Sequence, residues 1–220
     1  MGALLAGFLE AIYFYTLARA LDVGRLGAVY TVSRGGALVV VWPLSILLFA
    51  EVATVPAIVG SGVVLGGLVL SSLAPSSQRS AGHNAGIAWA ALCAASIAGY
   101  HLSYKAALLG GGSGSAVFAV SLSFAGAINI VRIGGEGRRK LRALISMRGR
   151  RIALMGLLCG GSFLILMEAL ARGGSGYVLT LRNTSVLFAA GLAWTIGERP
   201  RHAELVGAAL VAVGAVLMAL

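Results

Sequence analysis

Eight long apolar runs dominate the sequence and limit what it can fold into. They cover approximately residues 2–21, 28–50, 55–73, 85–108, 115–134, 152–171, 177–197 and 203–220. Each is close to the roughly 20 residues that a helix needs to cross a hydrocarbon core of about 30 Å, whereas a barrel strand is about half as long. Hydrophobic residues make up 59% of the chain and charged residues only 11%, which excludes a water-soluble domain. The runs predict an all-α, polytopic membrane bundle of eight transmembrane helices.

Positive charges are distributed unevenly between the two ends of these helices. Of the 17 Lys and Arg residues, Lys105 and Arg172 fall on one side, Arg34 and Arg182 lie within spans, and the remaining thirteen fall on the other side. Short cytoplasmic loops carry an excess of Lys and Arg. We therefore expect an integral protein of a plasma membrane, as in the bacterial inner membrane, with the basic loop of residues 132–151 in the cytoplasm and both chain ends on the opposite face.

Seven of the positive charges lie in one segment, RRKLRALISMRGRR, at residues 138–151. We interpret this segment as an orientation signal that also contacts anionic lipid head groups. Nucleic-acid binding is disfavoured, because no aromatic residue interleaves the basic residues for base stacking. The expected partners are therefore membrane lipid and a small-molecule substrate, with no nucleic acid.

Two parts of the chain resemble each other at an offset of 147 positions, which aligns Tyr30 with Tyr177. A glutamate that closes one span and two glycines in the next recur at this offset, as Glu51 with Glu198, Gly60 with Gly207 and Gly67 with Gly214. Span two matches span seven, and the five crossings between them mean that the copies enter the membrane in opposite directions. Such inverted repeats are typical of secondary transporters, since two equivalent arrangements of the halves open one central site to alternate sides.

These residues resemble a known family, the EamA-type transporters of the drug/metabolite transporter superfamily. The resemblance rests on the paired glutamates and glycines and on the segments VYTVSRG and LRNTSVLFAAGLAWTIGERP, and it covers nearly the whole chain. It implies a ten-helix fold of two five-helix inverted repeats around a central cavity. It also implies transport of metabolites, amino acids or drug-like molecules across an inner membrane.

The chain departs from this family pattern in its first half. We assign residues 1–73 to an incomplete first repeat of three helices, 74–84 to a connecting loop and 85–220 to a second repeat of five helices. Two helices of the first repeat have no counterpart, and Met1 lies inside an apolar run. Both observations favour a truncated or mis-started chain. Members of the family are usually drawn with cytoplasmic termini, whereas the positive charges here predict the opposite orientation.

Four charged residues lie at membrane depth, where a charge normally faces a partner or a watery cavity. Glu168 and Arg182 lie near the same end of neighbouring spans, and Glu10 and Arg34 lie in the first two spans, so two ion pairs are expected. Either both pairs only join helices, or at least one arginine faces the cavity and binds an anionic group such as a carboxylate. The sequence leaves both alternatives open.

A mildly polar stripe follows the fourth span at helical spacing, and it comprises Cys93, Ser96, Tyr100 and Tyr104, with His101 beside it. Aromatic residues near a span end form either an interfacial belt or part of a binding site. His101 either carries a coupling proton or only forms a structural hydrogen bond. The predicted substrate-binding residues are Glu10, Arg34, Tyr100, His101, Tyr104, Arg182 and Asn183.

Glycines in the third and eighth spans indicate close helix packing or a homodimer, and Gly62 with Gly66 forms a GxxxG pair. The sequence contains no HExxH or GxSxG motif and no acidic cluster for a metal, so an intramembrane enzyme is disfavoured and no metal or cofactor is expected. We predict a secondary transporter that moves a small metabolite or drug-like molecule by alternating access. The alternative is a non-transporting accessory subunit of a membrane assembly.

Overall fold

The computed structural model describes residues 1–24, 26–52, 54–73, 82–183, 185 and 202–218. The regular secondary structure of this part of the chain is entirely helical, and its eight helices are α1 (Gly2–Val23), α2 (Leu26–Phe49), α3 (Val55–Leu73), α4 (Gly82–Leu109), α5 (Gly114–Arg132), α6 (Gly134–Arg172), α7 (Ser175–Asn183) and α8 (His202–Met218). The predicted all-α fold is confirmed.

Within the described ranges, five helices are long and apolar enough to cross a membrane. These are α1, α5, α6, residues 32–49 of α2 and residues 84–109 of α4. Helices α3 and α8 contribute the shorter apolar stretches Val55–Leu70 and Leu205–Met218. Of the predicted seventh span, residues 177–197, little beyond its start in α7 is described. The predicted 74–84 loop lies largely outside the described residues, and Glu198 lies wholly outside them.

The basic segment that we expected to be a loop is helical. Residues 134–172 form a single 39-residue helix, α6, whose backbone leaves helical geometry at Arg148 with φ −130° and ψ 22°. Before this kink, Leu141, Leu144 and Ile145 recur at spacings of three and four residues in a segment rich in arginine. This spacing is that of an amphipathic helix, although the many charged residues of the segment favour a loop. The prediction of a loop at residues 132–151 is therefore wrong.

Helix α4 lies at the centre of the bundle. Helices α1, α2, α5, α6 and α7 all pack against it. Its small residues Ala90, Ala94 and Ala98 are buried, so neighbouring helices approach its backbone closely. Towards its C-terminal end the larger Tyr100 and Tyr104 are also fully buried. The polar stripe predicted on the fourth span therefore faces the protein interior.

Helices α3 and α8 pack against each other through glycines. A Cβ atom added to Gly60 would lie 2.6 Å from the carbonyl oxygen of Gly214, and one added to Gly67 would lie 2.6 Å from that of Gly207. Real Cβ atoms do not approach this closely, so the two backbones meet only because these residues are glycines. Since position 60 meets 214 and position 67 meets 207, the helices run antiparallel.

The GxxxG pair predicted to mediate packing lies on a different face of α3. Gly62 and Gly66 are exposed, and a Cβ atom added to either has no neighbouring atom within 4 Å among the described residues. The close contact predicted for this span is therefore made by Gly60 and Gly67. The face that carries Gly62 and Gly66 points away from the rest of the described bundle.

Candidate functional site

A cavity of about 910 Å³ lies between α1, α2, α5, α6 and α7. Its volume falls within the range of about 300–1,000 Å³ that small-molecule sites occupy. Most of the wall is apolar or aromatic, and the aromatic side chains are Tyr13, Phe14, Tyr30, Phe118, Phe163 and Tyr177. The charged side chains in the wall are Glu10, Arg34, Arg172 and Arg182. An apolar chamber with a few charged groups is the usual composition of a ligand site.

Glu10 enters the cavity wall from the middle of α1 and is only 1% exposed. Its Oε2 atom accepts hydrogen bonds from the Tyr104 hydroxyl at 2.9 Å and from the Ser121 hydroxyl at 3.0 Å. A buried carboxylate needs such donors, and here α4 and α5 provide them. Within the described structure Glu10 is therefore held by two hydroxyl groups, and the predicted Glu10–Arg34 ion pair is wrong.

Arg182 reaches the cavity from α7. Its Nη1 atom donates to the Tyr100 hydroxyl at 3.3 Å and to His101 Nε2 at 2.9 Å. Its guanidinium also lies 4.2 Å from the centre of the Phe163 ring, in the geometry of a cation–π contact. Side chains from α4 and α6 thus hold the guanidinium on two sides.

The bond to Arg182 determines the protonation of His101. A guanidinium only donates, so His101 Nε2 must accept and the ring must be neutral with its proton on Nδ1. His101 is fully buried, and Nδ1 has no hydrogen-bond partner among the described residues. A charged imidazole would lose the contact with Arg182. In this conformation His101 lies behind the cavity wall, and it positions Arg182 by accepting this hydrogen bond.

Arg34 enters the cavity from α2, and its guanidinium lies 5.4 Å from the centre of the Tyr30 ring. Its backbone carbonyl accepts a hydrogen bond of 3.1 Å from Asn183 Nδ2. The Tyr30 and Ser185 hydroxyls lie 3.2 Å apart. These contacts join α2 to the chain around the end of α7, and they place the two arginines in one wall. Asn183 itself is buried and makes this helix–helix contact.

The predicted ion pair between Glu168 and Arg182 is wrong. Glu168 instead pairs with Arg172 on the same helix at 2.5 Å, and the two side chains are 58% and 80% exposed. Residues four apart share a helix face, so this pair forms without any constraint from a neighbouring helix. Arg182 is consequently free of a carboxylate partner among the described residues.

Lys105, which the distribution of positive charges assigns to the same side as Arg172, is a buried group. It is 8% exposed, and its Nζ atom donates to the carbonyls of Leu170 at 3.0 Å and Gly173 at 2.7 Å. These carbonyls belong to the C-terminal end of α6, where backbone acceptors lack helical partners and a cation is favourable. Lys105 on α4 therefore links this helix to the C-terminal end of α6 through two hydrogen bonds.

Glu51, one of the two glutamates in the repeat, caps the N-terminus of α7. Its two carboxylate oxygens each lie 2.9 Å from the backbone nitrogen of Ser175, and the Ser175 hydroxyl donates to Oε1 at 2.9 Å. A carboxylate at a helix N-terminus satisfies free N–H groups and interacts favourably with the helix dipole. This contact ties the end of α2 to the helix that carries Arg182.

The structure brings all seven predicted site residues into one region but gives them different positions. Glu10, Arg34 and Arg182 line the cavity. Tyr100, His101 and Tyr104 lie directly behind it and bond its charged groups, while Asn183 bonds the backbone of Arg34. Ser121 was not predicted, although a hydroxyl within an apolar span is itself a signal of a polar interior. Direct substrate contact by the seven residues stays a prediction.

A helical membrane bundle with charged groups around a central cavity is the class of structure that secondary transporters form. The sequence profile of the EamA-like transporter family matches residues 84–220, which is more than half of the chain. The chain therefore belongs to the EamA-like transporter family, in the drug/metabolite transporter superfamily. It is an integral membrane protein of a family whose members are transporters rather than enzymes.

A solved structure, described as the crystal structure of a protein, shares this fold. The TM-score is 0.67 at 18% sequence identity, and the alignment covers 99% of this chain and 76% of the other. At this identity the similarity concerns the fold alone. No curated protein matches the sequence.

Proposed function

We propose that this protein is a secondary transporter that moves a small solute with an anionic group and an apolar body by alternating access. The observation that carries the proposal is the cavity of about 910 Å³, in which Arg34 and Arg182 lie beside Glu10 and Arg172 in a mostly aromatic and apolar wall. A guanidinium binds a carboxylate or phosphate through two parallel hydrogen bonds. The aromatic side chains suit the apolar part of the solute.

Arg182 is the group best prepared to bind the anion. Both of its hydrogen bonds to α4 use Nη1, so within the described structure Nη2 and Nε remain available to a ligand. Phe163 on α6 and Tyr100 with His101 on α4 restrict the guanidinium before the ligand arrives. A preorganised side chain loses less conformational entropy on binding. Tyr100 and His101 then act as positioning residues for Arg182.

Glu10 adds a negative group to the same cavity. Its two bonds to hydroxyls use Oε2, which leaves Oε1 as an acceptor within the described structure. An amino or hydroxyl group of the solute would bind there while its carboxylate binds an arginine. The cavity thus favours a solute with groups of both kinds, such as an amino acid, over one that carries a cation alone.

The glycine contact between α3 and α8 supports the inverted repeat on which alternating access depends. At the repeat offset, Gly60 corresponds to Gly207 and Gly67 to Gly214. The observed contacts are Gly60 with Gly214 and Gly67 with Gly207, so a two-fold axis exchanges one contact with the other. The antiparallel course of the two helices has the direction that an inverted repeat requires. Two halves related in this way can open a shared cavity to either side of a membrane.

The test combines ligand screening with cavity variants. The purified protein is first screened by thermal shift against amino acids, nucleosides and cationic drugs, because a ligand that binds the folded state raises its apparent stability. The best ligand is then measured for binding and for transport in proteoliposomes. We expect Arg182→Ala to weaken binding by at least about tenfold, which is the effect of losing one hydrogen bond to a charged group.

Arg19→Ala is the matched control, because Arg19 lies over the Trp89 ring and outside the cavity wall. It removes the same side chain and is expected to leave binding and transport unchanged. Unchanged binding and transport in Arg182→Ala would overturn the assignment of the anion site. A screen in which only cationic drugs raise the stability would overturn the proposed class of solute.

One observation favours the second candidate, a non-transporting accessory subunit of a membrane assembly. Gly62 and Gly66 face outward on α3, and in membranes outward small residues often mark a contact with another helix. Reconstitution of the purified chain alone separates the alternatives. Solute uptake by the chain alone supports the transporter, whereas binding without uptake until a second protein is added supports the accessory role.

A further inference from the structure

A second cavity, of about 630 Å³, lies at the kink of α6 and is lined by residues 145–151. Arg148, Arg150 and Arg151 all contribute to its wall. In an uninterrupted helix, residues two apart point in nearly opposite directions, so Arg148 and Arg150 would not line the same cavity. The non-helical backbone at Arg148 brings them together, and Gly149 between them leaves the space open. The kink therefore creates an exposed groove whose wall includes three arginines, and we call this groove the kink cradle.

The positive charge of the kink cradle is uncompensated within the described structure. The two ion pairs found on α6 are Glu136 with Lys140 at 2.8 Å and Glu168 with Arg172 at 2.5 Å, and neither involves the cradle. No described carboxylate pairs with Arg148, Arg150 or Arg151. Three adjacent cations without a counter-ion produce a local field that attracts anions. An external anion is therefore the natural partner of this cavity.

The surroundings of the kink cradle place it at a membrane surface. On its N-terminal side, Leu141, Leu144 and Ile145 form an exposed apolar stripe on the basic half of α6. On its C-terminal side, the apolar half of α6 begins at Ile152, directly after Arg151. A basic amphipathic helix lies in the plane of the head groups, and an apolar helix enters the hydrocarbon. The junction between the two therefore lies at the level of the lipid phosphates.

We propose that the kink cradle binds the phosphate of an anionic lipid head group. The three guanidinium groups supply paired N–H donors of the geometry that phosphate oxygens accept. Ile145 and Met147 in the same wall suit the apolar part of the lipid near its glycerol. This is a defined site within the basic segment, in addition to the general attraction that any run of arginines exerts on a membrane. It does not depend on the proposed transport cavity.

Native mass spectrometry of the full chain in neutral detergent tests this site. The protein is titrated with phosphatidylglycerol, with phosphatidylcholine and with inorganic phosphate. We expect one phosphatidylglycerol to bind preferentially, and the triple variant Arg148→Gln, Arg150→Gln and Arg151→Gln to weaken its binding by at least about tenfold. The matched control is Arg138→Gln, Arg139→Gln and Arg142→Gln, which removes the same charge from the part of α6 before the kink and should change binding less than about threefold.

A fourth variant separates the shape of the site from its charge. Gly149→Leu keeps every arginine but fills the open space of the kink cradle, so it should weaken phosphatidylglycerol binding by about tenfold, as overfilling a preformed site does. Equal losses in the two triple variants, or unchanged binding in Gly149→Leu, would overturn the site in favour of a diffuse basic surface. Displacement of the lipid by millimolar inorganic phosphate would overturn the lipid as its ligand in favour of a free anion.

Discussion

Helices α4 and α6 are both long and apolar, yet they occupy opposite environments. Over their most apolar windows the mean hydropathy is 1.4 for α4 and 2.0 for α6, while 56% of the α4 window is buried inside the protein and only 11% of the α6 window. In water the more apolar helix would be the buried one. In a membrane, lipid solvates apolar side chains and the protein interior must accommodate the polar ones. The helix at the centre of this bundle is therefore the less apolar of the two.

The two helices also contribute differently to the candidate site. Helix α4 supplies hydroxyl, imidazole and ammonium groups that bond Glu10, Arg182 and the end of α6. Helix α6 supplies one long wall of the cavity, including Cys159, Phe163 and Arg172. Helix α4 thus positions the charged groups of the site, and α6 forms one side of the cavity that contains them.

The cysteines give the largest contrast, because each helix carries one. Cys93 on α4 is 0% exposed, whereas Cys159 on α6 is exposed and lines the cavity. We expect a maleimide to modify Cys159 at least about a hundredfold faster, since Cys93 reacts only after a local opening that costs about 3 kcal/mol. Mass spectrometry of the Cys93→Ser and Cys159→Ser variants measures each rate separately. Similar rates would mean that the two helices are equally accessible.

Replacement of Lys105 by Met should cause the largest loss of stability. The change leaves the carbonyls of Leu170 and Gly173 without their charged donor, and we expect the free energy of unfolding to fall by roughly 2–3 kcal/mol. The matched control Arg172→Met removes a cation from the same end of α6, but its exposed ion pair is worth at most about 1 kcal/mol. The stability of both variants is measured by thermal unfolding in detergent, with the fraction of protein that remains monodisperse recorded at each temperature. Equal shifts would contradict the structural role of Lys105.

Substitutions by larger side chains compare how closely α4 and α6 are packed against other parts of the protein. Ala98 on α4 is 0% exposed, and Ala98→Leu should destabilise the protein by about 2 kcal/mol because the added atoms overpack the interior. A Cβ atom at Gly161 on α6 has open space around it, so Gly161→Leu should change the stability by less than about 0.5 kcal/mol. The same unfolding measurement applies. A comparable loss in Gly161→Leu would mean that another protein element covers α6 in the membrane.

The smallest contrast concerns two serines. The Ser121 hydroxyl donates to Glu10 in the interior, so Ser121→Ala should cost about 1 kcal/mol. Among the described residues, the Ser162 hydroxyl on α6 donates only to the carbonyl of Cys159 on its own helix, at 2.7 Å, so Ser162→Ala should leave the stability nearly unchanged. The difference in apparent melting temperature between the two variants is the measurement. A larger loss in Ser162→Ala would reverse the assignment of interior and exterior.

Individual residues show how far the candidate site could be predicted. Glu10, Arg34 and Arg182 could be predicted as site residues because a charge at membrane depth costs free energy and therefore usually faces a partner or a cavity. Their partners were not recognisable. Glu168 pairs with Arg172 on its own helix, and Glu10 bonds hydroxyls of α4 and α5, since the choice of partner depends on how each helix is rotated about its axis. One residue changes that direction by about 100°, and the sequence carries no direct record of it.

The sequence by itself determined the helical class of this protein, most of its helix positions and the residues at which polarity enters the apolar runs. These properties are local, because a helix satisfies its backbone hydrogen bonds within its own segment and lipid requires that it do so. Only the tertiary structure decided that α4 is central, that Lys105 is buried and that three arginines meet at the kink of α6. Such properties depend on packing between segments distant in the chain and on the backbone dihedral angles at Arg148, and a pattern of residue types reveals neither.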